Sequence, residues 1–191
     1  MEISPLFMCL LTGALLLDHT GMMVVSCAGM IIHEGGHLLA MGLTARMPSR
    51  FSLLPGSIQM ETHGAPPNKD LARIAAAGPL ANTLAAVAIL PGFWLGSLNL
   101  LRFGMVNLCL AGFNLLPVSG LDGGDLLRWF LFRHHSPAAT DALCHLAAAA
   151  SLLLLLAGGC FFLWRAHNLT LIIAAIDLAI LFFMGIKTKP T

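Results

Sequence analysis

The residues best placed to do chemistry are His33, Glu34 and His37, in the apolar run 20–42, TGMMVVSCAGMIIHEGGHLLAMG. Their spacing is H-E-x-x-H. On a helix the two His, at i and i+4, share one face. Glu34 lies about 100° round from His33, near the same mouth. In this pattern two imidazoles hold zinc and the glutamate serves as general base. With 8 His and 3 Glu in 191 residues, roughly 0.005 such matches are expected by chance. The plain alternative is two packed histidines and a glutamate paired elsewhere. It leaves three polar groups to be satisfied separately where a charge costs ~2.5–3.5 kcal/mol at mid-bilayer. One metal compensates all three at once.

The helix that must carry them is long enough to cross a bilayer. Its 23 residues rise ~35 Å, against a hydrocarbon core of ~30 Å. The whole chain fits that setting: 58% hydrophobic residues, 10% charged residues and a mean hydropathy of +0.85. Such figures belong to integral membrane proteins. The sequence predicts one transmembrane domain over 1–191, with no room for an extra soluble module. The net charge of +1 gives no sign of a nucleic-acid partner. The five Cys (Cys9, Cys27, Cys109, Cys144, Cys160) lie in apolar stretches without C-x-x-C, and read as small core hydrophobes. The start, MEISP, has no basic n-region, so no cleaved signal peptide is expected.

The expected fold is an α-helical integral membrane protein of about six transmembrane helices, with a small β-strand segment between helices 2 and 3. The spans fall at about 3–17, 20–42, 71–95, 98–116 (with a broken segment to 124), 139–163 and 168–186. Asp18 and His19 read as solvated turn residues. Residues 43–70 are the longest polar segment, and RFSLLPGSIQMETH, with short β-like runs about Pro-Gly, reads as strand–turn–strand. Glu61 and His63 there read as exposed strand residues rather than ligands. Pro79 lies inside the third helix, where it removes a ladder bond and kinks the chain. Asn82, polar at membrane depth, either hydrogen-bonds a neighbouring helix or faces the metal site.

A zinc held by two His needs a third protein ligand, and carboxylate oxygen is an ordinary choice. The segment NLLPVSGLDGGDLLRWF carries Asn114, Pro117, Ser119, Gly120, Gly123 and Gly124. Irregular backbone at membrane depth is tolerated where protein buries it or it lines a wet cavity. Asp122 stands inside this segment and is the candidate ligand; Asp125 could instead cap the following helix. His145 and Asp177 are expected to pair with polar groups inside the helices.

Six spans place both termini on one side, with Arg46, Arg50, Lys69, Arg73, Arg128, Arg133, Lys187 and Lys189. Arg102 and Arg165 fall on the other. This asymmetry puts the termini in the cytoplasm. His33 then lies nine residues from the cytoplasmic end of its helix, about 14 Å deep, and water reaches it from that side.

HEGGH in one transmembrane helix, GPLAN in the next and NLLPVSGLDGG in the one after resemble the site-2 protease family of intramembrane zinc metalloproteases. The likeness runs in order over residues 20–124. It implies that His33, His37 and Asp122 ligate one Zn2+ per chain and that Glu34 activates water. It also implies that Asn114 sits at the active site, in contact with substrate or the developing oxyanion. Asn82 and Pro117 would help shape the site. The segment 43–64 would lie beside it and pair with an extended substrate. The short form with its N-terminus inside is most similar to the sporulation-type branch, which implies a bacterial cell membrane and a membrane-associated or transmembrane protein substrate. PDZ and CBS domains are not expected, which leaves regulator and substrate open. Two rivals are a metal transporter, which would need ligands along a pore, and an inactive homologue acting as a scaffold.

Overall fold

The computed structural model describes residues 2–3, 18, 20–44, 50–54, 57–61, 69–166 and 170–187. Their elements in chain order are β1 (Glu2–Ile3), α1 (Met22–Leu43), β2 (Arg50–Leu54), β3 (Ser57–Glu61), α2 (Lys69–Ala86), α3 (Ile89–Trp94), α4 (Leu98–Asn114), α5 (Asp122–Phe132), α6 (Pro137–Ala166) and α7 (Thr170–Lys187). Among the described residues, three helical runs are long and apolar enough to cross a membrane: Met22–Leu43, Lys69–Trp94 and Pro137–Arg165. Apart from Ile3, the expected first span lies outside the described residues. The chain divides into two compact units, Met1–Phe113 and Asn114–Thr191.

In the first unit, α1 buries Gly29, His33, His37 and Met41, each four residues after the last. A helix of 3.6 residues per turn brings such positions into one ridge. α2 answers with a ridge of its own: Ile74, Gly78, Asn82 and Ala86 are all buried. The two helices pack antiparallel, since His37 meets Ile74 while Gly29 meets Asn82. The opposite side of α1 is apolar and open, with Val24, Ile31, Leu39 and Leu43 between 64% and 81% exposed. Polar groups inside and leucines outside is the reverse of a soluble fold and suits a lipid surround.

The start of α1 differs from the sequence expectation. Asp18 is not simply solvated. Its Oδ1 accepts from the Thr20 hydroxyl at 2.6 Å and the Thr20 amide at 2.8 Å, and its Oδ2 accepts from the Met23 amide at 2.7 Å. One of the first-turn amides that a helix leaves unsatisfied is thereby paired. The Thr20 hydroxyl, and then the Met23 amide, hold the Asp18 carboxyl below the usual carboxylate range.

The helix of Lys69–Ala86 runs on through Pro79, and its break comes later, in a turn at Val87–Ala88 before α3. β2 and β3 pair antiparallel, from Arg50 opposite Glu61 to Leu54 opposite Ser57. β1 adds parallel to the other edge of β2, giving the order β1-β2-β3. Among the described residues β3 has a strand on one side only. His63 lies outside the described residues.

In the second unit, the segment read as a broken extension of the fourth span is a seven-residue link followed by a separate helix, α5. The link turns at Gly120, whose φ of 95° suits glycine. α5 is tied to α6 by an ion pair from Arg128 to Asp141 at 3.0 Å. α6 and α7 pack together over buried Ala148, Leu152, Ala175 and Leu178. The ring of His145 meets Phe182 edge-on at 5.6 Å. The side chain of Asp177 lies outside the described residues. Cys109 and Cys160 are exposed and Cys27 and Cys144 half-buried, so these four are not the core residues expected.

Candidate metal centre

His33 and His37 are each 7% exposed. Their ring nitrogens are held in a fixed order. The Nδ1 of His37 lies 2.7 Å from the backbone carbonyl of Ile74. A carbonyl only accepts, so this Nδ1 carries the hydrogen. The Nδ1 of His33 lies 2.8 Å from Oδ1 of Asn82. That amide is set by its other end: Nδ2 donates to the Gly29 carbonyl at 3.0 Å and to Oδ1 of Asn107 at 2.9 Å. With its nitrogen so engaged, Asn82 offers oxygen to His33, and this Nδ1 is also the protonated one.

With Nδ1 carrying the hydrogen, Nε2 is the ring nitrogen that holds the lone pair in the neutral tautomer. The two Nε2 atoms face each other at 3.1 Å, with the ring planes at 85°. A proton or a metal ion held between two such nitrogens allows that separation. Neutral imidazole nitrogens with their Nδ1–H groups bound to carbonyl oxygen are also the arrangement in which His ligates metal. On this geometry the two His fit a zinc ion.

The neighbouring helix is built to allow this approach. Gly78 stands where any Cβ would collide with both imidazoles. Pro79 cannot donate to the carbonyl of Ala75. One turn before Gly78, the carbonyl of Ile74 receives His37. The G of GPLAN thus supplies room, and N supplies the partner of His33.

Of the residues singled out in the sequence, His33, His37 and Asn82 come together in the first unit. Glu34 is half-buried on α1, off the His33–His37 ridge. Asn114 ends α4, half-buried, and Pro117 is half-buried in the link after it. Asp122 opens α5, half-buried, with Leu121 as the N-cap residue. Gly123 lets that first turn sit against the carbonyls of Leu115 and Leu116, where a side chain would clash. Asp125 is exposed, and the N-cap position belongs to Leu121. Both acids lie in the first turn, where the helix dipole favours negative charge. Sequence reasoning missed Asn107, which is fully buried. The signal was present but shared: an amide at depth in a mostly apolar helix, as at Asn82, though α4 also carries Asn99, Arg102 and Asn114.

No protein-family model matches the chain, and no curated protein sequence does. Among solved structures it is similar to the "Site-2 Protease from Methanocaldococcus jannaschii", with a TM-score of 0.65 and 22% identity. The match covers 91% of this chain and 82% of that one. This chain therefore shares the fold of that solved structure.

Proposed function

We propose that this protein is an intramembrane zinc metalloprotease that hydrolyses peptide bonds of membrane-embedded or membrane-associated proteins. The observation that carries the reading is the pair of Nε2 atoms, 3.1 Å apart, on imidazoles whose Nδ1 atoms both lie within hydrogen-bond distance of oxygen acceptors. The helices able to cross a membrane and the shared fold support it. His33 and His37 are two zinc ligands and Asp122 is the third. Zinc, when bound, supplies a Lewis acid that polarises the scissile carbonyl and lowers the pKa of water.

Glu34 sits one residue from His33 and off the ligand ridge, a place that suits proton transfer rather than ligation. It takes a proton from the attacking water and delivers it to the leaving amine. Asn114 contacts the substrate or the developing oxyanion, and Pro117 shapes the link before Asp122. The edge of β3 offers backbone donors and acceptors to an unwound substrate, by strand addition. The termini are cytoplasmic, in a bacterial cell membrane, and water enters from that side.

The test is cleavage of a helical membrane peptide by purified protein in liposomes, with and without zinc, beside a measurement of zinc flux. Zinc-dependent cleavage without flux is expected. Flux without cleavage would assign the site to transport, and zinc binding with neither would leave a scaffold.

A further inference from the structure

The hydrogen bonds around His33 form a directed chain that begins away from the metal centre. Asn107, on α4, donates through Nδ2 to the carbonyl of Phe103 at 2.8 Å. A backbone carbonyl accepts and never donates, so this end of the Asn107 amide is fixed as nitrogen. Its Oδ1 must then face Asn82, and it receives Nδ2 of Asn82 at 2.9 Å. The second hydrogen of that Nδ2 goes to the Gly29 carbonyl at 3.0 Å. Oδ1 of Asn82 is left for His33, 2.8 Å from Nδ1. Reversing the Asn82 amide would set its oxygen against two acceptors and its nitrogen against an N–H. Both amides are 0% exposed, so water cannot repair a reversal.

We infer that Asn107 is a positioning residue for His33: it sets the Asn82 amide so that Nδ1 of His33 holds the hydrogen and Nε2 is presented for zinc. It touches neither substrate nor metal. The inference rests on the proposed zinc site and adds to it a residue on a third helix. His37 supplies a built-in control, because its Nδ1 is bound to Ile74 and owes nothing to Asn107. A residue that merely packs α4 would affect both rings alike, or neither.

The experiment uses full-length protein in detergent with 15N-labelled histidine, loaded with zinc. Asn107→Leu should weaken and shift the Nδ1–H resonance of His33, through faster exchange, while that of His37 stays in place. Zinc affinity by chelator competition should fall about 10- to 100-fold, the usual effect of losing an outer hydrogen-bond partner. The double variant Asn82→Leu/Asn107→Leu, which leaves no orphaned amide, should bind zinc as Asn82→Leu alone does. Unchanged His33 resonance and affinity in Asn107→Leu would overturn the inference. So would a double variant that binds zinc more weakly than Asn82→Leu alone, a comparison that also decides the matter if Asn107→Leu does not fold. Wild-type protein that binds zinc while these effects are missing refutes the positioning role alone; wild-type protein that binds none refutes the zinc site and this inference with it.

Discussion

Gly78 faces His37 so closely that a methyl group on its Cα would fall 2.6 Å from the ring Cε1, and 2.8 Å from that of His33. Gly78→Ala should therefore displace at least one imidazole. Overpacking of this kind costs about 1–3 kcal/mol, and here the cost falls on the ligands. The expected outcome is a drop in zinc affinity of tenfold or more with the helix content kept, read by chelator competition and circular dichroism. Unchanged affinity would mean that the rings tolerate a shift of this size.

Glu34→Gln should leave zinc binding near one ion per chain and reduce cleavage by about 10²–10⁴-fold, the range for a lost general base. Metal analysis and peptide cleavage on the same preparation check it. Loss of zinc together with activity would make Glu34 a ligand.

Asp122→Ala should lower zinc affinity by more than the roughly 10- to 100-fold of an outer partner, whereas Asp125→Ala should leave it unchanged. Asp125 is exposed and Asp122 half-buried at the head of the same helix. The reverse order would move the third ligand to Asp125.

A substrate held in a helix must unwind before it can lie along the edge of β3. Gly or Pro near the scissile bond weakens a helix by about 1 and 3 kcal/mol relative to Ala, and should speed cleavage in that order. A proline introduced within Ser57–Glu61 of the enzyme should slow it by removing an edge donor. Cleavage rates across substrates of graded helix propensity, in one detergent, provide the check. A flat series with an unaffected proline variant would remove the strand from the mechanism.

Asp18 gives the site helix a pH-sensitive start. Its carboxyl is held below the usual range by the Thr20 hydroxyl and the Met23 amide, so the folded pKa is the lower of the two states. The contribution to folding is therefore present above the unfolded value of about 3.9 and is lost as pH falls through the folded one. The Met23 amide resonance should shift only as pH falls below about 4, and in Asp18→Ala it should hold its acid-form position at neutral pH. A Met23 resonance indifferent to both would separate Asp18 from the helix start.

The site helix was legible because its signal is local: HEGGH needs only a helical period to bring two His to one face. Asn82 was legible as a polar group at depth, but its two candidate roles were left open, and it fills both by joining His33 to α4. Asn107 carried the same local signal and was passed over because its meaning lies in a partner 25 residues back along the chain. The same limit hid Gly78, whose importance is set by rings on another helix. The break after Asn114 was legible from Pro117, Ser119 and Gly120, but the start of a separate helix at Asp122, after a seven-residue link, was not.

The amide chain from Phe103 to His33 also fixes register. Helices in lipid have little hydrophobic drive to choose one axial setting over another, and small residues such as those of α2 permit sliding contact. A slip of α2 along α1 by one turn, about 5.4 Å, would leave much of that smooth packing intact. It would strand the Asn82 amide from Gly29 and Asn107 together. The polar links thus act as detents: α1, α2 and α4 mesh at one rotation and one height, and that setting is the one that brings the two imidazoles edge to edge.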